Sequence, residues 1–166
     1  YREQYGRNWL SVMPCNLYGP GDNFNPTEGH VLASLMHKIH LAKISNYDSV
    51  TVWGDGSPLR EFLYVEDAAE GILCVAETET EESILNLGSG VELSINNLAK
   101  LLTEIIGFRG HLVYDPTKPN GTPRKLLDNS KLQRYGWMAR TNLKVGLERT
   151  YQAYLESPHR LRGSTE

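Results

Sequence analysis

The residues of this chain best suited to chemistry lie between Met13 and His30. The stretch Met13-Pro14-Cys15-Asn16-Leu17-Tyr18-Gly19-Pro20-Gly21-Asp22-Asn23-Phe24 joins a short apolar run to turn formers carrying amide, phenol and carboxylate groups, and Glu28-Gly29-His30 follows. The run from Trp9 to Met13 reads as a buried strand that ends at Pro14. Ligands in open α/β sheets collect beyond the carboxyl ends of strands, so Asn16 and Tyr18 are expected where a cofactor or sugar would lie. His30 stands at the start of a helical pattern. An imidazole, with an ordinary pKa near ~6.5, suits proton transfer at neutral pH; the alternative is a histidine satisfied at a helix start.

The elements that must position these groups alternate between strand and helix. From residue 28 to about 45, Val31, Leu35, Ile39 and Ala42 recur at helical spacing, widened by Leu32 and Met36, with Thr27 as the expected cap. A strand Val50 to Trp53 follows, then the turn Gly54-Asp55-Gly56-Ser57-Pro58 and an extended piece Arg60 to Tyr64. Asp67 suits the first turn of the next helix, which carries Ala68, Ile72 and Val75. Ser83 to Leu87 reads as a strand, and Ser94 caps a helix with Ile95, Leu98, Leu102 and Ile105 on its apolar face and Gly107 at its end. After a strand His111 to Tyr114 and a long loop Asp115 to Lys125, a short helix near Ser130 to Tyr135 and a terminal helix Leu143 to Leu155 are expected. The alternation implies an α/β layered arrangement.

Several function classes are excluded by composition. Seventeen basic against twenty acidic residues give a net charge of -3, with no basic block, so no nucleic-acid partner is expected. No apolar run approaches the ~20 residues of a membrane helix, and the first residues are unlike a signal peptide, so no membrane partner and a cytoplasmic location are expected. The two cysteines make neither a disulfide framework nor a zinc spacing. His37 and His40 are spaced i, i+3 but lack ligand partners nearby; they are expected to be surface histidines, and no metal is assigned. Gly88-Ser89-Gly90 imitates a dinucleotide turn, yet Leu93 fills the third glycine position and the helix begins only at Ser94. Its amides would therefore not lie over a pyrophosphate.

The segment from Met13 to His30, together with Val52-Trp53-Gly54, Leu59-Arg60-Glu61-Phe62-Leu63-Tyr64-Val65 and Lys118-Pro119-Asn120-Gly121-Thr122-Pro123-Arg124-Lys125, resembles the second half of the GDP-L-fucose synthases. These are epimerase/reductases of the extended short-chain dehydrogenase/reductase superfamily, and four ordered blocks over nearly the whole chain carry the resemblance. It implies the C-terminal part of that fold, residues 1–166 contributing the end of the Rossmann sheet and the smaller α/β substrate-binding domain. The chain does not begin with Met, and Tyr1 to Gly6 reads as the last turns of a helix, so a piece of a longer protein is expected. The resemblance implies that the family's glycine-rich turn and its catalytic Tyr-x-x-x-Lys pair belong to the Rossmann half, expected upstream of Tyr1.

For individual residues, the resemblance implies that His30 is the general acid of epimerisation beside the carbonyl and also borders the cofactor. Pro14, Cys15, Asn16 and Leu17 resemble the segment against the nicotinamide half of NADP(H), an ordinary strand end being the alternative. Cys15 stands where the family often has threonine and is expected to be a small packing residue. Trp53 and Arg60 correspond to substrate-contacting positions and Asn120 to a position of the same kind, with Arg124 and Lys125 as further contacts from the same loop, and Lys38 is expected to bind substrate by its place on the helix. Lys38 lies eight residues beyond His30, about 12 Å along a helix, a span that suits the sugar and diphosphate of a GDP-sugar. Each has a plain alternative: a solvated helix face for Lys38, a core anchor for Trp53, a structural ion pair for Arg60. Asn120 replaces the family's frequent aspartate. The resemblance further implies a homodimer for the full-length protein; the alternatives are another nucleotide-sugar epimerase, dehydratase or reductase of the same fold, or a non-catalytic nucleotide-sugar binding module.

Overall fold

In Ser49-Val50-Thr51-Val52-Trp53 the side chains alternate between solvent and core, Val50 and Val52 being buried and the other three exposed, as a half-covered strand requires. The computed structural model describes residues 2–156. In chain order the elements are α1 (Arg2–Tyr5), β1 (Ser11–Pro14), β2 (Asn16–Tyr18), α2 (Val31–Ile44), β3 (Ser49–Trp53), β4 (Leu59–Tyr64), α3 (Val65–Ala76), β5 (Ile84–Leu87), β6 (Glu92–Ser94), α4 (Ile95–Ile106), β7 (His111–Asp115), β8 (Arg124–Lys125), α5 (Ser130–Arg134) and α6 (Leu143–Glu156). The architecture is α/β. Parallel pairs join β1 to β5, β2 to β4 and β3 to β7, and β4 also takes β6 antiparallel and β8 parallel along its first residues. Among the described residues no helix is long and apolar enough to cross a membrane.

β4 divides two hydrophobic cores. Its Phe62 and Tyr64 belong to the larger one, built with α2, α4 and α6, while Leu63 between them belongs to a smaller one with α3 and β5. The two-residue period of a strand sends neighbours to opposite faces, so one strand serves both. Ser94 caps α4 by accepting the Asn97 N–H, and Gly107 ends the helix in the left-handed region at φ 73°, as expected.

Five expectations need correction. Trp9 and Met13 are more than half exposed and the strand starts only at Ser11, because β1 is paired on one edge, to β5, among the described residues. Thr27 is not a cap: it is held with Glu28 by Asn25 Oδ1, and α2 begins four residues after it, at Val31. Tyr18 is core rather than crevice, 3% exposed and tilted against Tyr64 at 5.6 Å, because its position on β2 faces the larger cluster. The loop from Asp115 to Lys125 contains β8, and β6 was not foreseen; both are too short to show a period and exist through pairing with β4.

The fifth correction concerns His37 and His40, which are not surface groups. α2 is buried almost all round, and α6 crosses it, so His37 Nδ1 lies 2.8 Å from the Tyr154 hydroxyl and His40 Nδ1 lies 3.0 Å from that of Tyr151. Burial pushes both imidazoles below the ordinary 6.5, helped by His40 beside His37 and by Lys43 beside His40. A histidine depressed in the fold contributes full stability above its unfolded value and loses it as the pH falls from there toward the folded value. The melting temperature is therefore expected to drop as the pH is lowered below about 6.5, and His37→Gln should shrink the drop; equal pH slopes in the two proteins would exclude this source.

Candidate functional site

Glu61, on β4, is 1% exposed and has no cationic partner within salt-bridge distance among the described residues. Its carboxylate is instead held by N–H donors from two segments. Oε1 accepts from Gly90 N at 2.6 Å and Asn129 Nδ2 at 3.4 Å, and Oε2 accepts from Leu127 N at 3.0 Å. The Glu61 carbonyl accepts Asn16 Nδ2 at 2.8 Å. One residue thereby fixes the loop after β5, the approach to α5, and the amide of Asn16. No feature of its neighbours in sequence distinguishes it from a surface glutamate of a strand; only its place at the centre of three segments does.

This arrangement also closes the question of Gly88-Ser89-Gly90. A Cβ on Gly88 would overlap the Glu61 carboxylate, which already occupies the concavity of the loop. Two anions would compete there, so no pyrophosphate cradle exists at this turn. Cys15, beside Glu61, has its thiol pushed up to about 12, by burial first and the Glu61 charge second. It stays a protonated packing residue.

A cleft of about 230 Å³ opens where the start of α2 meets the end of β3, lined by Gly29, Val31, Ser34, Lys38, Val52 and Trp53 among others. Lys38 Nζ sits 4.8 Å from the centroid of the Trp53 ring, and Lys118 Nζ lies over the same ring at 5.6 Å. Trp53 is 52% exposed, so it is no core anchor. Burial lowers the pKa of Lys38, which marks a partly desolvated ammonium rather than a freely solvated one.

Lys118 belongs to the loop from Asp115 to Pro123, and four bonds attach that loop. Gly54 N donates to the Asp115 carbonyl at 2.9 Å, Leu59 N donates to the Pro123 carbonyl at 2.8 Å, Asp55 N donates to Asn120 Oδ1 at 2.8 Å, and Arg60 Nη1 donates to the Thr122 carbonyl at 2.7 Å and also to that of Leu59 at 2.8 Å. Arg60 thus makes no ion pair among the described residues; it grips the loop through carbonyls. Asn120 does its work through an oxygen, which a carboxylate would also offer, so an amide suffices there. Gly54, at φ 75°, has no room for a Cβ because Asn120 Oδ1 closes on it. Arg124 is engaged elsewhere, in a two-pronged contact with Glu92.

The fold brings Lys38 and Trp53 together in the cleft, while Asn120 and Arg60 do not line it and fasten the loop that carries Lys118. His30 stands between two cleft-lining residues, Gly29 and Val31, with an exposed ring that makes no cap bond. Pro14, Cys15, Asn16 and Leu17 do not line that cleft; they lie along β1 and β2, with Pro14 and Leu17 exposed. Among the described residues no group of three or more His, Cys, Asp or Glu side chains is arranged to hold a metal ion.

Residues 1–88 match the NAD dependent epimerase/dehydratase family. This chain belongs to that family. Among its relatives, the putative GDP-L-fucose synthase 2 of Arabidopsis thaliana is 51% identical over 157 residues, which is 95% of this chain and 48% of that protein. The GDP-L-fucose synthase of Escherichia coli K12 is 44% identical, over 98% of this chain and 54% of its own length. The structure of a GDP-L-fucose synthetase from Naegleria fowleri bound to NADP superposes with a TM-score of 0.85 at 34% identity, covering 92% of this chain and 48% of that one. The chain thus spans about half the length of the relatives it matches, and its epimerase fold is shared with a UDP-glucose 4-epimerase of Thermotoga maritima at a TM-score of 0.82 and 28% identity.

Removing the Glu61 carboxylate leaves Gly90 N, Leu127 N and Asn129 Nδ2 without their acceptor. Glu61→Ala is expected to cost about 3 kcal/mol, at roughly 1–3 kcal/mol per stranded buried group with partial relaxation. Urea unfolding measures it, and a midpoint equal to that of the unsubstituted protein would mean that the loops hold themselves.

Proposed function

We propose that this chain is the substrate-binding half of an NADP(H)-dependent GDP-L-fucose synthase, which epimerises GDP-4-keto-6-deoxy-D-mannose and reduces it to GDP-L-fucose. The observation that carries the reading is the cleft itself. A proton-transfer group, His30, stands at one end of α2, and a cationic, aromatic wall of Lys38, Trp53 and Lys118 lies about two turns further on. A keto-sugar at the first and a diphosphate at the second match that spacing. Relatives named GDP-L-fucose synthase from a plant and two bacteria, 42–51% identical, support the same substrate.

The roles follow from the chemistry of each group. Epimerisation beside a ketone removes a proton from one face of a ring carbon and delivers one to the other, and an imidazole at the cleft mouth is suited to the delivery. Arg60 and Lys38 hold the diphosphate, the guanidinium offering its unengaged N–H edge. Trp53 presents an exposed ring to the guanine or sugar. For the cofactor, Pro14 and Leu17 offer an exposed apolar edge, and Asn16, whose Nδ2 is tied to Glu61, keeps Oδ1 to accept a carboxamide N–H. These residues fit the nicotinamide end only. When bound, NADPH supplies the hydride that reduces the ketone. The same reading makes the full-length protein a cytoplasmic homodimer.

Three measurements test the proposal. Because the family's glycine-rich turn and catalytic Tyr-x-x-x-Lys pair belong to its Rossmann half, the 166-residue chain alone is expected not to oxidise NADPH with GDP-4-keto-6-deoxy-mannose; measurable turnover would sink the division of labour. In the full-length protein, Arg60→Ala should raise KM more than it lowers kcat, because a phosphate grip acts on ground and transition states alike. An unchanged KM would leave Arg60 as a loop fastener. His30→Asn should cost at least about a hundredfold in epimerised product while NADPH affinity stays near normal. Solvent-deuterium exchange at the ring carbons flanking the ketone reports it, and wild-type exchange would reduce His30 to a helix start.

A further inference from the structure

Lys118 is carried back to β3 by a tight turn at the end of β7. Trp53 and Asp115 are the last register pair of β3 and β7, and Lys118 N donates to the Asp115 carbonyl at 3.2 Å, which closes the turn Asp115-Pro116-Thr117-Lys118. Aspartate first and proline second are the residues such a turn selects. The Asp115 carboxylate braces it, Oδ1 accepting the Thr117 N–H at 3.0 Å and the Thr117 hydroxyl at 2.6 Å. Beyond the turn, Asn120 and Thr122 are tied to Asp55 and Arg60. Lys118 therefore stands between two fastened points of its loop, and from there its ammonium lies over the Trp53 ring.

Two ammoniums share this indole. Lys38 reaches it from α2, 4.8 Å from the ring centroid, and Lys118 from the loop, at 5.6 Å, so the charges are no further apart than those two distances together. Among the described residues neither lysine has a carboxylate within salt-bridge distance. The acids of the two adjoining turns are committed to their own backbone: Asp55 Oδ1 accepts the Ser57 N–H at 2.8 Å, as Asp115 Oδ1 accepts that of Thr117. An exposed ring attracts a cation only weakly beside what an anion offers, so the indole alone does not balance two like charges. Burial lowers the Lys38 pKa, the mark of an ammonium that has already given up part of its hydration. Paired cations without an acid, at the rim of a recess, suit a dianionic group that spans both.

We infer that Lys118 is a further substrate-binding residue: the diphosphate of the nucleotide sugar is gripped between Lys118 on the loop and Lys38 on α2, above the edge of the recess that Trp53 forms. The inference rests on the reading of this cleft as the GDP-sugar site, and it adds a contact from an element to which that reading gave no ligand role. A compact ammonium on a flexible stem meets a phosphate oxygen as a point charge, without the fixed fork that a guanidinium demands. The turn and its fastenings supply the placement that the stem lacks. Indole and ammoniums then divide the work: the ring holds the two stems in place while the site is empty, and the anion takes over both charges when it arrives.

The test uses the full-length protein with Lys118→Met, Lys118→Arg and Lys38→Met, reading the affinities of GDP and of guanosine by calorimetry and KM for GDP-4-keto-6-deoxy-mannose. Lys118 is exposed, so its replacement leaves both cores untouched. Lys118→Met should weaken GDP at least about tenfold, the scale of one lost charge-assisted contact, and raise KM by a similar factor while guanosine binds as before. Lys118→Arg, which keeps the charge, should retain most of the GDP affinity. Wild-type GDP affinity in Lys118→Met together with a loss in Lys38→Met would overturn the inference and leave the cleft as the substrate site. Wild-type GDP affinity in both methionine variants would overturn the inference and the reading of the cleft together. A loss in Lys118→Met that falls equally on guanosine would show that the residue does not act on the phosphates, and would overturn the inference as well.

Discussion

A single buried carboxylate, that of Glu61, holds together segments far apart in the chain. It lies on the strand that separates the two cores, and it is satisfied by N–H groups of Gly90, Leu127 and Asn129. Burying a charge without a counter-ion is tolerated only when hydrogen bonds replace its lost hydration, and here they come from loops that would otherwise have unpaired donors. The constraint works in both directions. The carboxylate needs the loops, and the loops take their shape from the carboxylate. Its backbone carbonyl extends the same control to Asn16, so the proposed cofactor edge inherits its geometry from the centre of the fold.

The cleft is assembled by a different device. Neither α2 nor β3 makes it alone, and the loop after β7, which lays Lys118 over the Trp53 ring, is fastened to Gly54, Asp55, Leu59 and Arg60. Those fastenings decide where Lys118 and Asn120 stand, and the close approach of Asn120 to Gly54 leaves space for glycine only. A chain with net charge -3 thus concentrates Lys38 and Lys118 over one exposed indole. In a partly desolvated recess, cations so gathered attract an anion more strongly than their formal charge in water would indicate.

Behind the cleft, α2 is steadied by α6. The contacts of His37 with Tyr154 and His40 with Tyr151 are polar bonds inside an aromatic cluster that also contains Phe24. Phe24 belongs to the loop between β2 and α2, so the terminal helix supports that loop and α2 together.

Much of this protein was legible before folding was considered. Periodicity marked α2, β3, β4, α3 and α4 to within a few residues, Ser94 and Gly107 announced both ends of α4, and residue types alone made His30, Lys38, Trp53 and Arg60 candidates. These signals are local: a helix repeat, a cap and a functional group are carried by residues within one or two turns of each other. Tertiary structure alone decided the burial of Glu61 and Tyr18, the pairing of His37 and His40 with α6, the short strands β6 and β8, and the grip of Arg60 on carbonyls. Each depends on a partner 29 to 117 positions away, and no pattern of neighbouring residues records which distant backbone groups will need an acceptor once the chain has closed around them.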